Sequence, residues 1–426
     1  MLDIMKKKLE ALDCDMWELT ETVRQGWEFY FIRHELDQNR AVEIQSIEVK
    51  LYKSIEDGKY LGSASGEIPP TASDEEIDGY LSSLLYQAGL VKNPPYTLTD
   101  QPITAFPKTD PVDIEAIAEQ FIRTIREVGE TESADVNSYE IFVNSLTRHT
   151  LNSNGVEYTC TYPSSTLDIV VNARKDGHEI EMYRFFTSGT CDREKLKGEI
   201  ADAMRYGSDR LSAAPTPKLG SAAVVFSTSD AVAIYDYFLY RMAAGAVYRK
   251  ISDWQIGKPI VGDQEGDRIS IKALSSLRNS SHDFSVDEEG SPIRDRWIIR
   301  DGIAENYYGS RQFSEYLGLK DSSIVHNISV SGGSKTAAEI RQGDFLEIVE
   351  FSDFQVNPMT GDIAGEIRVA YLHRGGEVTV VTGGSVSGNM LDAARTMTFS
   401  EETCQYDTYV IPAVTRLENL SITGVI

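Results

Sequence analysis

The chain of 426 residues has little positive charge. It contains 41 Lys and Arg against 66 Asp and Glu, which gives a formal net charge of -25 at pH 7. A field of this sign repels phosphate backbones and anionic lipid head groups. We therefore expect no nucleic-acid partner and no membrane partner.

Cysteine is also scarce. The four cysteines are Cys14, Cys160, Cys191 and Cys404, and no two of them form a C-x-x-C pair. Their spacing excludes the disulfide framework of a small secreted domain and the spacing of a zinc ribbon. No segment approaches the ~20 apolar residues of a membrane span. The charges within Met1–Glu10 do not fit a secretory signal. We expect a reduced, cytoplasmic protein.

The six histidines are scattered along the chain. His34-Glu35 and His178-Glu179 each match the first half of a zinc-binding H-E-x-x-H motif, but no second histidine follows at the required spacing. We interpret His34 and His178 as surface residues.

Residue periodicity predicts both helices and strands in the first half. The first stretch reads as helical to about Gln25, followed by strands at 27–32 and 47–52. A capping box of Ser73 and Glu76 predicts a helix that ends near Leu90. Further helices are predicted from Asp110-Pro111 onward, with an apolar stripe, and over residues 192–211. Strands at 167–171 and 179–183 are expected to form a hairpin around 175–177.

The second half contains more strand and turn, and frequent glycine. It begins with the apolar strand 222–226 and continues through one helix at 230–240. Glycine-rich segments at 332–336 and 383–388 lack the order of a phosphate loop or a nucleophile elbow, so we interpret both as turns. The acidic run Asp287–Glu289 does not have EF-hand spacing and is interpreted as a solvated turn.

These patterns predict an α+β fold. An N-terminal α+β domain is expected over residues 1–211, and a linker over 212–220, because proline at 215 and 217 interrupts both periodicities. A larger, predominantly β domain is expected over residues 221–426.

Several segments, in order from about Ser138 to the end, resemble those of the TldD/PmbA metallopeptidase family. Asn152-Ser-Asn-Gly155 resembles the N-S-x-G turn of that family, and Asp287-Glu-Glu-Gly290 its D-x-x-G segment. The further matching segments are Ile299-Arg-Asp-Gly302, His326–Gly333, Asn357–Asp362, Gly383–Asn389 and Leu420–Gly424.

The resemblance implies an N-terminal α+β domain joined to a larger β-rich domain, in cytoplasmic dimers that cut peptides or unfolded polypeptides. Catalytic, TldD-like members hold zinc with two histidines of one helix, in a His-Glu-x-x-x-His motif, and a distant cysteine. PmbA- or TldE-like members lack these histidines and serve as partner subunits.

In this sequence the corresponding helix, 230–240, has Tyr235, Asp236 and Tyr240 at the motif positions and no histidine anywhere. A phenol with an ordinary pKa near 10 is a poor zinc ligand at neutral pH. An alternative interpretation treats these residues as packing positions of a buried helix, together with Ile234, Phe238, Leu239 and Met242.

Cys404 lies near the position of the family's cysteine ligand, but a lone thiolate does not hold a zinc site by itself. The alternative is a cysteine without a role. It is a weak candidate for a metal ligand.

The leading hypothesis is that the chain is a non-catalytic, PmbA/TldE-like subunit that supports a zinc-bearing TldD-like partner. We expect it to bind no cofactor of its own. One alternative is a divergent metallopeptidase that acts alone with zinc held by Cys404 and carboxylates such as Asp236. Another is a homodimer that binds a peptide or a small ligand after losing proteolysis.

Overall fold

The computed structural model describes residues 1–100 and 110–425. Its N-terminal half combines four helices with six strands, in the order α1 (Leu2–Ala11), β1 (Met16–Ile32), β2 (Glu35–Ile55), β3 (Tyr60–Glu67), α2 (Asp74–Ala88), α3 (Ile114–Arg126), β4 (Ala134–Asn152), β5 (Glu157–Lys175), β6 (His178–Ser188) and α4 (Arg193–Arg210). The strands form one antiparallel sheet in the order β3-β2-β1-β4-β5-β6, which leaves β3 and β6 at its two edges.

Helices cover one face of this sheet in two pairs. Helices α1 and α2 pack over one end and bury Leu9 and Leu81 against Leu19. Helices α3 and α4 pack over the other end, where Phe121 and Ile200 contact the β4 and β5 side chains. Removal of such apolar surface from water, at about 25 cal/mol per Å², is the main force that holds these layers together.

The local signals in this half are largely confirmed. Ser73 accepts a hydrogen bond from the Glu76 N–H and Glu76 accepts one from Ser73, which is the predicted capping box of α2. The predicted hairpin joins β5 to β6 through Asp176 and Gly177, both at positive φ (51° and 80°). A turn of this kind matches the right-handed twist of the flanking strands.

Two predicted helix boundaries are wrong. The first helix ends at Ala11 instead of Gln25, because from Met16 onward apolar residues such as Trp17 and Leu19 alternate with polar ones and face a sheet. The helix expected from Asp110 begins at Ile114, where the Asp113 side chain accepts a hydrogen bond from the Ala116 N–H.

The C-terminal half contains more strands, in the order β7 (Ala214–Pro215), β8 (Gly220–Phe226), α5 (Val232–Arg241), α6 (Ala244–Tyr248), β9 (Ile271–Leu274), β10 (Arg296–Arg300), β11 (Ile303–Ala304), α7 (Arg311–Tyr316), β12 (Asn327–Val330), α8 (Ala337–Ile340), β13 (Phe345–Val356), β14 (Asp362–Arg374), β15 (Glu377–Thr382), β16 (Ser385–Asn389), α9 (Met390–Thr396), β17 (Thr398–Phe399), β18 (Thr403–Tyr406), β19 (Tyr409–Pro412) and β20 (Thr415–Thr423). The α+β fold with a mostly β C-terminal half is therefore confirmed.

These strands form two sheets around helix α5. The larger follows the order β13-β8-β20-β16-β14-β15-β7, and β13 also pairs with β14, so five of its strands close into a ring. The smaller follows the order β11-β10-β9-β12-β19-β18. The largest buried apolar cluster contains α5 together with residues of both sheets.

The segment predicted as a linker, 212–220, lies along the larger sheet. Ala214 and Pro215 pair with β15, the Thr216 N–H donates to the Thr382 carbonyl at 3.0 Å, and Gly220 begins β8. The division into domains at this segment stays a prediction. Within the described ranges, no helix combines the length and the apolar character that crossing a membrane requires.

The acidic run Asp287–Glu289 forms the predicted turn with Glu288 exposed, but Asp287 is buried instead of solvated. The Asp287 side chain is 1% exposed, and its carboxylate accepts hydrogen bonds from the backbone N–H groups of Glu289, Ser291 and Ile324. Burial raises its pKa to about 7, although those N–H groups favour the ionised form. Asp287 is buried because the second face of the N-terminal sheet packs on this segment, whereas the Glu288 side chain remains 42% exposed.

Candidate functional site

Helix α5 brings the degenerate motif positions into the core of the C-terminal half. Ile234, Phe238, Leu239 and Met242 are buried there, as the packing interpretation expected. Tyr235 is also fully buried, and Tyr240 and Asp236 lie at the margin of the helix. The three motif positions therefore share one helix but have different surroundings.

The Tyr235 hydroxyl forms a 2.7 Å hydrogen bond with the Thr415 hydroxyl on β20. Burial raises the pKa of Tyr235 well above its ordinary value, which keeps the phenol neutral. Its oxygen is thus held in a neutral, structural contact between α5 and β20.

The Asp236 carboxylate accepts a 2.7 Å hydrogen bond from the Tyr409 hydroxyl on β19. Burial and the neighbouring Asp236 raise the pKa of Tyr409. Cys404 lies on β18, next to β19, and its Sγ is 3.9 Å from the Gln405 carbonyl oxygen. The structure places Cys404 in the same hairpin as the partner of Asp236.

These donors do not fit a zinc ion. A zinc site needs three or four thiolate, imidazole or carboxylate ligands around one point, whereas Tyr235 is neutral and Asp236 is bonded to a phenol. Within residues 1–100 and 110–425, no three His, Cys, Asp or Glu side chains form a set that could hold a metal ion.

The histidines interpreted as surface residues differ in environment. His178 is exposed, whereas His34 is partly buried and its Nε2 lies 2.9 Å from the Glu130 carboxylate.

A histidine pair that sequence reasoning missed lies elsewhere, where His282 stacks on His326 with ring centroids 5.1 Å apart. Glu288 contacts His326 and the Arg148 guanidinium. Burial alone would raise the pKa of Glu288, but the interactions with these two groups lower that pKa to about 2.

A cavity with a volume of about 540 Å³ lies beside these elements, between the two halves of the chain. It is bordered by Tyr183–Ser188 of β6, by α4, by Ser227–Asp230 before α5, by Val349–Phe351 of β13 and by Gln405–Asp407 of the β18–β19 hairpin. Clefts of this volume between structural units are the usual sites of ligand binding.

The cavity lies alongside the edge of the N-terminal sheet. Among the described residues, β6 pairs only with β5. Consecutive residues of β6 border the cavity, so side chains from both faces of this strand reach it. Tyr183 and Phe185 remain 52% and 56% exposed. The cavity therefore occupies the position in which a seventh strand would add to the sheet.

One surface of α4 forms the opposite wall. Lys195, Glu199, Asp202 and Tyr206 line the cavity at helical spacing. This is the signal that sequence reasoning could have used: a charged and aromatic stripe beside the apolar positions of the same helix. No sequence signal connected it to β6 and to the segment before α5.

The charged residues of the lining are predominantly acidic. Six carboxylates and two basic groups border the cavity within the described part of the chain: Asp192, Glu199, Asp202, Asp230, Glu350 and Asp407 against Arg184 and Lys195. Burial raises the pKa of Glu199, Asp230 and Glu350, while nearby basic groups oppose that shift. The Glu350 carboxylate is paired with Arg184.

Comparison with known proteins agrees with the ordered motifs. Residues 219–424 match the sequence model of the PmbA/TldA metallopeptidase C-terminal domain. Metalloprotease PmbA of Escherichia coli O157:H7 is 24% identical over 305 residues, which are 67% of this chain and 63% of that protein's own length. A metalloprotease PmbA homolog of Haemophilus influenzae is 22% identical over 407 residues, which are 90% of this chain and 89% of that protein.

Solved structures share the fold over nearly the whole chain. TldE from Thermococcus kodakarensis superposes with a TM-score of 0.79 at 16% identity, covering 99% of this chain and 100% of that one. A proposed modulator of a DNA gyrase from Thermotoga maritima gives 0.77 at 15% identity, with 99% and 100% covered. The sequence matches thus support membership of the TldD/PmbA family, whose PmbA/TldA metallopeptidase C-terminal domain matches residues 219–424, and the solved structures show the shared fold over nearly the whole chain.

Proposed function

We propose that the chain is a non-catalytic, PmbA/TldE-like subunit that supports zinc-dependent proteolysis of peptides or unfolded polypeptides by a TldD-like partner. The observation that carries the proposal is that residues at the motif positions of α5 form hydrogen bonds within the protein. Tyr235 is held as a buried, neutral phenol by Thr415, and the Asp236 carboxylate accepts a hydrogen bond from Tyr409, so this helix offers a metal one carboxylate and no imidazole.

The cavity suggests what the subunit contributes. An extended polypeptide that adds to the edge of β6 would be held by main-chain hydrogen bonds, which require no particular sequence. Such a mode suits a subunit that presents unfolded chains to a partner. The proposal places the protein in the cytoplasm, in keeping with four cysteines that are all unpaired.

The test measures metal content and peptide hydrolysis for the purified chain, alone and mixed with a TldD-like protein from the same genome. Purification omits chelators and histidine tags. We expect substoichiometric zinc and no hydrolysis for the chain alone, and hydrolysis that requires the partner. Cys404→Ala is expected to leave the activity of the mixture unchanged.

Other results would favour the alternatives. Zinc near one equivalent in the chain alone, with hydrolysis that is lost in Cys404→Ala, would establish a divergent metallopeptidase. Peptide binding by a homodimer that neither hydrolyses peptides nor forms a complex with the TldD-like protein would establish a binding protein that has left proteolysis.

A further inference from the structure

The carboxylates that line the cavity outnumber its basic groups. Glu199, Asp230 and Glu350 each interact electrostatically with Arg184, and only Glu350 forms an ion pair with it. Asp230 accepts one 3.2 Å hydrogen bond from the Thr228 hydroxyl. Three carboxylates thus interact electrostatically with one guanidinium, while Lys195 also acts on Glu199 and Arg368 on Glu350.

The cavity already holds an ammonium group of the chain itself. The Lys195 Nζ lies 3.9 Å from the centroid of the Tyr406 ring, which is within the range of a cation–π contact. Tyr406 borders the same cavity as Glu199, and the electrostatic interaction of Glu199 with Lys195 favours the ionised carboxylate. This contact demonstrates that the cavity wall accommodates a cationic side chain.

The position of β6 determines where a ligand side chain would point. In an added strand, alternate side chains face opposite sides of the sheet. One set would extend over Tyr183 and Phe185, and the other set would extend toward α4 and Glu199. A side chain of the second set meets the carboxylates of the cavity lining.

We propose that this cavity selects extended peptide segments bearing a Lys or Arg side chain, which enters between α4 and Asp230 while the peptide backbone lies along β6. The inference rests on the peptide-binding role proposed above and adds a preference for positive charge at one position. Glu199 and Asp230 supply the negative charge, and the cavity's aromatic side chains Tyr406 and Tyr206 already lie beside the cations Lys195 and Arg205.

Fluorescence anisotropy with the full chain tests this selection. The probes are two labelled seven-residue peptides with blocked termini and identical β-prone sequences, one with Lys and the other with norleucine at the central position. At low salt we expect the Lys peptide to bind about tenfold more tightly, the ratio expected for a partly desolvated cation beside carboxylate and aromatic groups. Glu199→Gln and Asp230→Asn should each reduce that ratio severalfold and leave the affinity for the norleucine peptide unchanged.

Glu194→Gln is the matched control, because Glu194 lies on the same helix with its side chain 90% exposed and outside the cavity lining. It should leave the ratio unchanged. Equal binding of the two peptides to the unmodified chain would overturn the charge preference and leave the peptide-binding role standing. If neither peptide binds, both the preference and the peptide-binding role are overturned. Urea unfolding of each variant verifies that the fold is retained.

Discussion

At the scale of the residue, Tyr235 has a structural role in the motif helix α5. Its hydroxyl and that of Thr415 are fully buried and bonded to each other, so each group satisfies the other away from water. The absence of histidine from this helix was evident from sequence. The role of Tyr235 was not, because its partner lies 180 positions away in the chain.

Removal of one member of this pair should be more harmful than removal of both. Tyr235→Phe leaves a buried hydroxyl without its partner, and we expect the free energy of unfolding to fall by about 1–3 kcal/mol. The double variant Tyr235→Phe/Thr415→Val should recover most of that loss, because an apolar pair of similar shape leaves nothing unsatisfied. Urea titration of the two single variants and the double variant measures the coupling.

Tyr240→Phe serves as the comparison, because Tyr240 lies at the margin of the same helix and is partly exposed. It should change stability by less than about 0.5 kcal/mol. Additive effects of Tyr235→Phe and Thr415→Val would show that the hydrogen bond contributes nothing to stability.

At the scale of the element, strand β6 connects the fold to the proposed function. Its hairpin with β5 was predictable from the Asp176-Gly177 turn and from residue alternation. Its place at an edge beside a cavity was not, because strand order depends on pairings between segments far apart in sequence. The same reason explains why the sequence predicts only residues 27–32 of β1 as a strand. The polar residues in the first half of β1 are held in a strand by pairing with β2 and β4 on either side.

A peptide that adds to β6 should protect that strand from amide hydrogen exchange. With saturating peptide we expect exchange over Tyr183–Ser188 to slow at least about tenfold, because outward-facing N–H groups become hydrogen-bonded. Strand β3, at the opposite edge of the same sheet, is the internal reference and should not change. Mass spectrometry of the exchanged protein measures both strands.

A peptide of the same sequence with every backbone nitrogen methylated should give no protection, since it cannot donate main-chain hydrogen bonds to β6 and its N-methyl groups keep its carbonyl oxygens from approaching the strand edge. Protection of β3 equal to that of β6, or protection by the methylated peptide, would contradict strand addition at this edge.

At the scale of the whole molecule, the net charge of -25 governs which large partners can approach. Relatives in fold include proteins named as proposed modulators of DNA gyrase. For this chain, electrostatic repulsion opposes any sequence-independent contact with a phosphate backbone.

We expect no saturable binding of labelled duplex DNA at protein concentrations up to about 100 μM, which spans the range in which non-specific DNA-binding proteins associate. Anisotropy at low and at physiological salt measures this, with a basic DNA-binding domain as the positive control. Saturable binding that weakens as salt is raised would refute the prediction.

The ring of strands in the C-terminal half has a consequence for how the chain folds during its synthesis on the ribosome. Strand β8 (Gly220–Phe226) lies between β13 and β20 (Thr415–Thr423), so its pairing is complete only after a segment made nearly at the end of synthesis. At ~5–20 residues per second, that interval is about 10–40 s. The N-terminal sheet can form while β8 still lacks β20 as a neighbour. The nascent C-terminal half is therefore the part that needs protection from aggregation during that delay.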